Sequence, residues 1–339
     1  MTSVTIIGGG IFGLACAWEM TRRGAPVRLF EAQRIGAGSS GGHVGALAPH
    51  APDAWNDKKA FQLDSLLMAP AFWAGAEAAS GLPSGYGRTG RLQPVANADR
   101  LRDRIAAAAD RWPEGCAMRL TDAPAGGLIP DSPSGLWLFD GLTARLSPRA
   151  ASAALAQAIR NRGGEIIEGR QPDTLAGPVL WATGTPGLED LSRDLGRPIG
   201  KGVKGQSALL RHAAFDAPQV FADGLHIVPH ADGTVAIGST SENDYGHLDP
   251  DGRIDDLIAK ARAICPQLRN APVIDRWAGA RPRARTRAPI LGPWPGRPGH
   301  YVANGGFKIG FGMAPRIAQV MADLILEGYD TIPGDFRLT

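Results

Sequence analysis

The chain has 339 residues, 44% of them apolar and 20% charged, which excludes a disordered or fibrous protein and allows a sizeable core in two domains. Its net charge of +3 argues neither for nor against a nucleic-acid partner. Three cysteines, Cys16, Cys116 and Cys265, lie far apart with no CxxC spacing, so neither a disulfide framework nor a zinc site is expected, and no apolar run of about 18 residues offers a membrane span.

The first element, Val4 to Ile7, is a short β-branched run that leads straight into Gly8-Gly9-Gly10-Ile11-Phe12-Gly13. An amphipathic stretch, Leu14 to Arg23, follows, then Gly24, a second apolar run from Val27 to Phe30, and Glu31. Strand, glycine turn, helix, strand and carboxylate is the order a dinucleotide site requires. Gly8 permits the tight turn, Gly10 lets backbone approach a pyrophosphate, and Gly13 lets the helix pack on the strand. The helix start offers unpaired N–H groups and partial positive charge to phosphates. Glu31 can accept bonds from ribose hydroxyls, which favours FAD or NAD over NADP but does not separate the first two. The apolar start lacks the basic leader of a signal peptide, and reduced thiols fit a cytoplasmic protein.

Gly36 to Gly45 is a second glycine-rich loop, at the carboxyl end of the second strand, where ligands lie in such sheets. Ser39, Ser40 and the loop amides are therefore read as further donors to the cofactor. His43 and His50 lie nearby and receive no catalytic role. A helix is expected over 60–79, with Leu63, Leu66, Leu67, Phe72 and Trp73 on its apolar face, then a strand at Arg91 to Val95 and a helix at Leu101 to Trp112. Trp137 to Phe139 reads as a short strand. Ser147 and Pro148 mark the cap and first turn of a helix running to about Arg162, followed by strands at Glu165 to Glu168 and at Val179 onwards, the latter closing in the small-residue turn Ala182-Thr183-Gly184. From Gly205 to Ile274 the pattern changes to short strands at Gln206 to Leu210, Leu225 to Pro229 and Thr234 to Gly238, then a helix from Ile254 to Ile264. A last helix is expected from Pro315 to Glu327.

Several spaced segments now coincide: GGGIFG with Glu31, GAGSSGG, LSPRAASAALAQAI with GGEII, VLWATG, VKGQ, IVPHADGTVAIGSTSE, WAGARPRARTRAPILGP and YVANGGFKIGFGMAPRIAQVMADLI. Together they span nearly the whole chain in order, and the chain resembles the D-amino-acid oxidase family of FAD-dependent oxidoreductases, in particular its glycine oxidase and sarcosine oxidase types. The resemblance implies an α/β fold: a Rossmann-type FAD-binding domain, discontinuous over 1–80, 140–204 and 276–339, plus an α+β substrate domain over 81–139 and 205–275 with a large mixed sheet. It implies FAD, contacted by Gly8, Gly10, Ile11, Phe12, Gly13, Glu31, Ala32, Ser39, Ser40, Gly45, Ala182, Thr183, Gly184, Gly305, Gly306, Phe307, Lys308 and Ile309. It assigns the substrate carboxylate to Arg281, in Gly279-Ala-Arg-Pro282, and makes Lys308 a second candidate, whose charge could instead stabilise reduced flavin or help activate dioxygen.

Two departures bear on the substrate. The family's T-x-D after this arginine is Thr286-Arg-Ala288, and its P-R in the roof strand is Pro229-His230. The cysteine that anchors flavin covalently in sarcosine oxidases has no counterpart near Arg281, so noncovalent FAD is expected. The implied reaction is hydride transfer from the α-carbon of an amino acid or N-substituted glycine to flavin N5, with hydrolysis of the imine and reoxidation by dioxygen or another acceptor. The basic run Arg281, Arg283, Arg285 and Arg287 lacks interleaved aromatics, so no nucleic-acid partner is expected. The alternatives are a flavoenzyme for a non-amino-acid or tRNA-borne amine, and the FAD-binding subunit of a larger dehydrogenase.

Overall fold

In a computed structural model, which describes residues 3–338, the buried opening strand Val4–Ile7 pairs in parallel with Val27–Glu31 on one side and Val179–Trp181 on the other. Glu165–Glu168 and His300–Asn304 extend this parallel sheet, and Ile290–Pro293 closes one edge as an antiparallel hairpin partner, giving six strands. The helix Ile11–Arg22 is buried all round, as expected of a helix that is apolar on every side. It packs against Gly310–Ala322 and Pro148–Asn161, and Asp57–Ser80 covers both of those helices.

The second sheet has eight strands, in the order Val273–Ala284, Gly200–Arg211, Thr234–Gly238, Leu225–Pro229, Gln219–Ala222, Arg91–Val95, Leu136–Asp140, Met118–Thr121. It is antiparallel apart from the pair Gln219–Ala222 with Arg91–Val95. Strand alternation gives it two chemically distinct faces. Ala208, Leu210, Val220, Ile227 and Ile237 point outward and are covered by Ile254, Ile258 and Ala261 of the helix Arg253–Ile264. Ser207, Trp277, Arg281, Phe221 and His226 point the other way, into a cavity between the two sheets.

Several expectations shift. The expected domain limits at 204/205 and 275/276 fall inside the two longest strands, Gly200–Arg211 and Val273–Ala284, which bond to one another along their length. Residues 1, 2 and 339, within the outer limits of the expected first domain, lie outside the described residues. The helix Gly184–Asp194 forms where a turn was expected, because Pro186 sits in its first turn, where N–H groups have no intrahelical partner. The last helix begins at Gly310, not Pro315, and gives way to a wider turn over Asp323–Glu327. Pro315 lies inside it and breaks a single backbone bond rather than marking the start. The strand Gln219–Ala222 was not foreseen from sequence.

Candidate active site

At one end of the cavity the strand Val4–Ile7 turns at Gly8, whose φ of 111° suits glycine and whose missing side chain leaves room for the Ala182 carbonyl. Gly13 lies so close to the Gly8 carbonyl that no side chain fits between helix and strand. The helix start has no side-chain cap of its own; instead Ile11 N–H donates to Ser40 Oγ at 2.9 Å. Glu31 is held at the end of its strand by two backbone donors, Gly9 N–H to Oε2 at 2.7 Å and Gln33 N–H to Oε1 at 3.0 Å. Each carboxylate oxygen keeps a further lone pair for a ligand.

From this end a single cavity of about 1230 Å³ extends to the eight-stranded sheet. Gly8, Gly10, Ile11, Phe12, Glu31, Ala32, Ser39, Ser40, Ala182, Thr183 and Gly184 line its first part, and Gly306, Phe307, Lys308, Ile309 and Arg281 its second. Gly13, Gly45 and Gly305 do not reach the wall. Gly45 packs against the Leu146 carbonyl, and Gly305, with φ 77°, turns the chain beside Ala284.

Arg281 is buried at the far end. Its Nη1 donates to Ser239 Oγ at 2.6 Å and its Nη2 to the Thr240 carbonyl, while Nε is buried without a partner. Burial pulls this guanidinium down to about 10, against the opposing influence of Glu242. Lys308 is likewise held below the ordinary lysine value, by burial first and then by the charge of Arg281. Phe307 carries both groups: its ring centroid lies 5.5 Å from Arg281 Cζ and 5.7 Å from Lys308 Nζ, within cation–π range. Phe307 adopts φ 42°, a left-handed conformation unusual for an aromatic residue, and its N–H donates to the Pro282 carbonyl at 3.0 Å. The strand that bears Arg281 and the turn that bears Lys308 are thereby tied together.

Of the remaining histidines weighed from sequence, only His43 lines the cavity. Its ring spans Ser207 Oγ at 3.1 Å and Asp275 Oδ2 at 3.0 Å, and Arg149 Nη1 holds the same carboxylate at 2.7 Å. His50 bonds to Gln62, and His230 is buried off the wall on Thr234 Oγ1. Arg285 and Arg287 are exposed, and Arg283 donates to Asn243 Oδ1.

Sequence reading missed Arg91 and His226, which line the same end of the cavity. The available signal was the alternation of Leu225 to Pro229, in which His226 interrupts an otherwise apolar strand. Burial, then the charges of Arg91 and Lys308, push the His226 imidazole down to about 3. The three cysteines are free, buried and absent from the cavity wall. Among the described residues no cluster of His, Cys, Asp or Glu could hold a metal ion, and no helix is long and apolar enough to cross a membrane.

A model of the FAD dependent oxidoreductase family matches residues 3–324. The bifunctional protein ThiO/ThiG of Trichormus variabilis is 28% identical over 359 residues, covering 96% of this chain and 52% of that protein, so the chain spans about half the length of that relative. Glycine oxidase of Geobacillus kaustophilus is 25% identical over 367 residues, covering 95% of this chain and 92% of that one. The crystal structure of glycine oxidase from Geobacillus kaustophilus superposes with a TM-score of 0.86 at 22% identity, covering 100% of this chain and 98% of the other, which shows a shared fold.

Proposed function

The chain belongs to the FAD dependent oxidoreductase family, and from that premise we propose that it oxidises the Cα–N bond of a small amino acid or N-substituted glycine, with FAD held noncovalently. One observation carries this reading: the cavity joins a dinucleotide cradle at Gly8, Gly10 and Glu31 to two cations, the buried Arg281 and the more exposed Lys308. Its volume, about 1230 Å³, exceeds the roughly 300–1,000 Å³ of an ordinary ligand pocket and fits a dinucleotide with a small substrate at its far end.

The residues present fit FAD. Gly8 and Gly13 admit no side chains, and the open helix start suits a pyrophosphate. The two anchored oxygens of Glu31 suit ribose hydroxyls. Ser39, Ser40, Ala182, Thr183 and Gly184 would line the middle of the cofactor, and Gly306 to Ile309 its ring end. The absence of a cysteine on the wall supports noncovalent attachment. When bound, FAD supplies the two-electron acceptor for the α-hydrogen, leaving an imine that water hydrolyses.

The chain's own part is binding, orientation and electrostatics. Arg281, fixed by Ser239 and Thr240, would grip the substrate carboxylate in the planar manner a guanidinium permits, with Lys308 as a second cation. Both positive charges also lower the proton affinity of a bound amine, so they favour its neutral, oxidisable form. Ser207, Trp277 and Phe221, from the eight-stranded sheet, line the cavity wall.

The purified protein should be yellow and release free flavin on acid precipitation; a colourless protein that takes up no FAD would refute the cofactor. Anaerobic mixing with D-amino acids, glycine, sarcosine and proline analogues should bleach the flavin for at least one compound. If none does, the amino-acid reading falls while the family stands.

A further inference from the structure

We propose that the far end of the cavity holds a second anion subsite, built by Arg91 and His226, and that the substrate is an amine bearing two carboxylates. The inference rests on reading the cavity as an amine-oxidation site and names the class of amine.

Arg91 opens its strand directly across from Asp140. Its Nε donates to Asp140 Oδ2 at 2.8 Å, and Asp140, fully buried, has its other oxygen held by Thr143 N–H at 2.9 Å. The guanidinium plane is therefore fixed from its Nε edge. Nη1 and Nη2 have no hydrogen-bond partner among the described residues, and the side chain lines the cavity. Two parallel N–H groups on a clamped arginine form the fork that a carboxylate matches.

His226 stands on the neighbouring part of the same face. It lies directly opposite Phe221, with ring centroids 4.6 Å apart, and Arg91 Cζ is 5.9 Å from the Phe221 centroid. Its Nδ1 is buried without a partner, so Nε2 is the nitrogen left to meet a ligand. Burial, and after it the charges of Arg91 and Lys308, lower its basicity, and His226 lines the same cavity as both cations. Arg281 and Lys308 already suffice for one carboxylate. Asp140 balances part of the Arg91 charge, and the neutral imidazole adds none, so the subsite suits a singly charged carboxylate better than a phosphate dianion.

The test uses the FAD-loaded enzyme and unreactive probes, read by calorimetry and by perturbation of the flavin spectrum. Glutarate and succinate are compared with butyrate, and the better dicarboxylate is expected to bind about tenfold tighter or more, the scale of a charged hydrogen bond. Equal affinities would overturn the proposal with no variant required. Arg91→Gln combined with Asp140→Asn, which avoids stranding a buried carboxylate, should abolish the preference; a preference that survives in the folded double variant also overturns it. Anaerobic flavin reduction by aspartate and glutamate of both hands and by N-(carboxymethyl)glycine, against glycine and sarcosine, separates the two readings. If no amine reduces the flavin yet glutarate keeps its Arg91-dependent advantage, amine oxidation fails and the subsite stands. If monocarboxylate amines react as well as their dicarboxylate counterparts, the subsite fails and amine oxidation stands.

Discussion

The guanidinium group of Arg281 fills the space in which a side chain on Gly205 would begin. Gly205 lies directly across from Gly279, on the strand paired with that of Arg281, and its missing side chain makes room for the guanidinium, while the space over Gly279 is taken by the Trp277 ring. The backbone of Gly205 is not left-handed, so the constraint is one of room alone. Gly205→Ala should push the guanidinium out of its bonds to Ser239 and Thr240 while leaving the sheet intact. Butyrate affinity should then fall about tenfold, the scale of a lost charged hydrogen bond. Unchanged affinity in a folded variant would show that Arg281 does not hold the carboxylate.

Direct removal of the two cations gives the complementary measurement. Arg281→Ala and Lys308→Met should each weaken carboxylate binding by about 1.5–3 kcal/mol. Lys308 sits below its ordinary value of 10.5 because of burial and then Arg281, so the wild-type affinity should decline as pH rises through a midpoint under 10.5. Losing the Arg281 charge removes one of the two depressing influences, so in Arg281→Ala this alkaline limb should move to higher pH. In Lys308→Met only the loss due to Arg281, itself pulled down to about 10 by burial, should remain. An alkaline limb unchanged from the wild type in the methionine variant would show that Lys308 does not contribute to it.

These site residues differ in how far the sequence announced them. The opening unit was legible because strand, glycine turn, helix and Glu31 act on one another within a single βαβ segment, and each choice of residue answers a local need. Arg281 and Lys308 were legible only through the resemblance of their motifs. Arg91 and His226 were not, because their proximity is created by cross-strand pairing between Phe221 and His226 and between Arg91 and Asp140. No local pattern encodes that pairing. The segment Trp277 to Ala284 hid its strand in a similar way, since its glycines, proline and arginines lack apolar alternation and it is held by the length of Gly200–Arg211. The small-residue turn expected at Ala182-Thr183-Gly184 leads straight into a helix from Gly184, since Pro186 tolerates both a turn and the first turn of a helix.

Ser40 reaches back from the second glycine loop to cap the first helix through Ile11 N–H. Its hydroxyl proton remains free to donate to a ligand in the cavity it lines. Ser40→Ala should lower the stability of the FAD-free protein by about 0.5–2 kcal/mol, the usual loss at a helix cap. If the hydroxyl also contacts the cofactor, FAD affinity should fall further than that of a control such as Ser39→Ala. Urea unfolding of the apoprotein and fluorescence titration with FAD measure the two effects separately. An alanine variant with wild-type unfolding would show the cap to be energetically idle.

The buried histidines predict how the fold responds to acid. His226 is held down to about 3 and His230 to about 4, in both cases by burial first, whereas an unfolded imidazole titrates near 6.5. The unfolded chain therefore binds more protons than the native one between these values, and stability must fall as pH drops from about 6.5 towards 4. This window lies above the range in which the depressed carboxylates Asp232, Asp251 and Asp275 lose their contribution, since each starts from an ordinary value of 3.8 and is lowered. Each unit of histidine shift corresponds to about 1.4 kcal/mol, so the decline should be readily measured in urea midpoints between pH 7 and 4.5. His226→Gln removes one titrating group from the wall without touching the Arg91–Asp140 pair, and its stability profile over this range should be shallower than that of the wild type. A profile that keeps its full slope would mean that His226 is already protonated in the folded protein, and with it the neutral imidazole beside Arg91 would have to be abandoned.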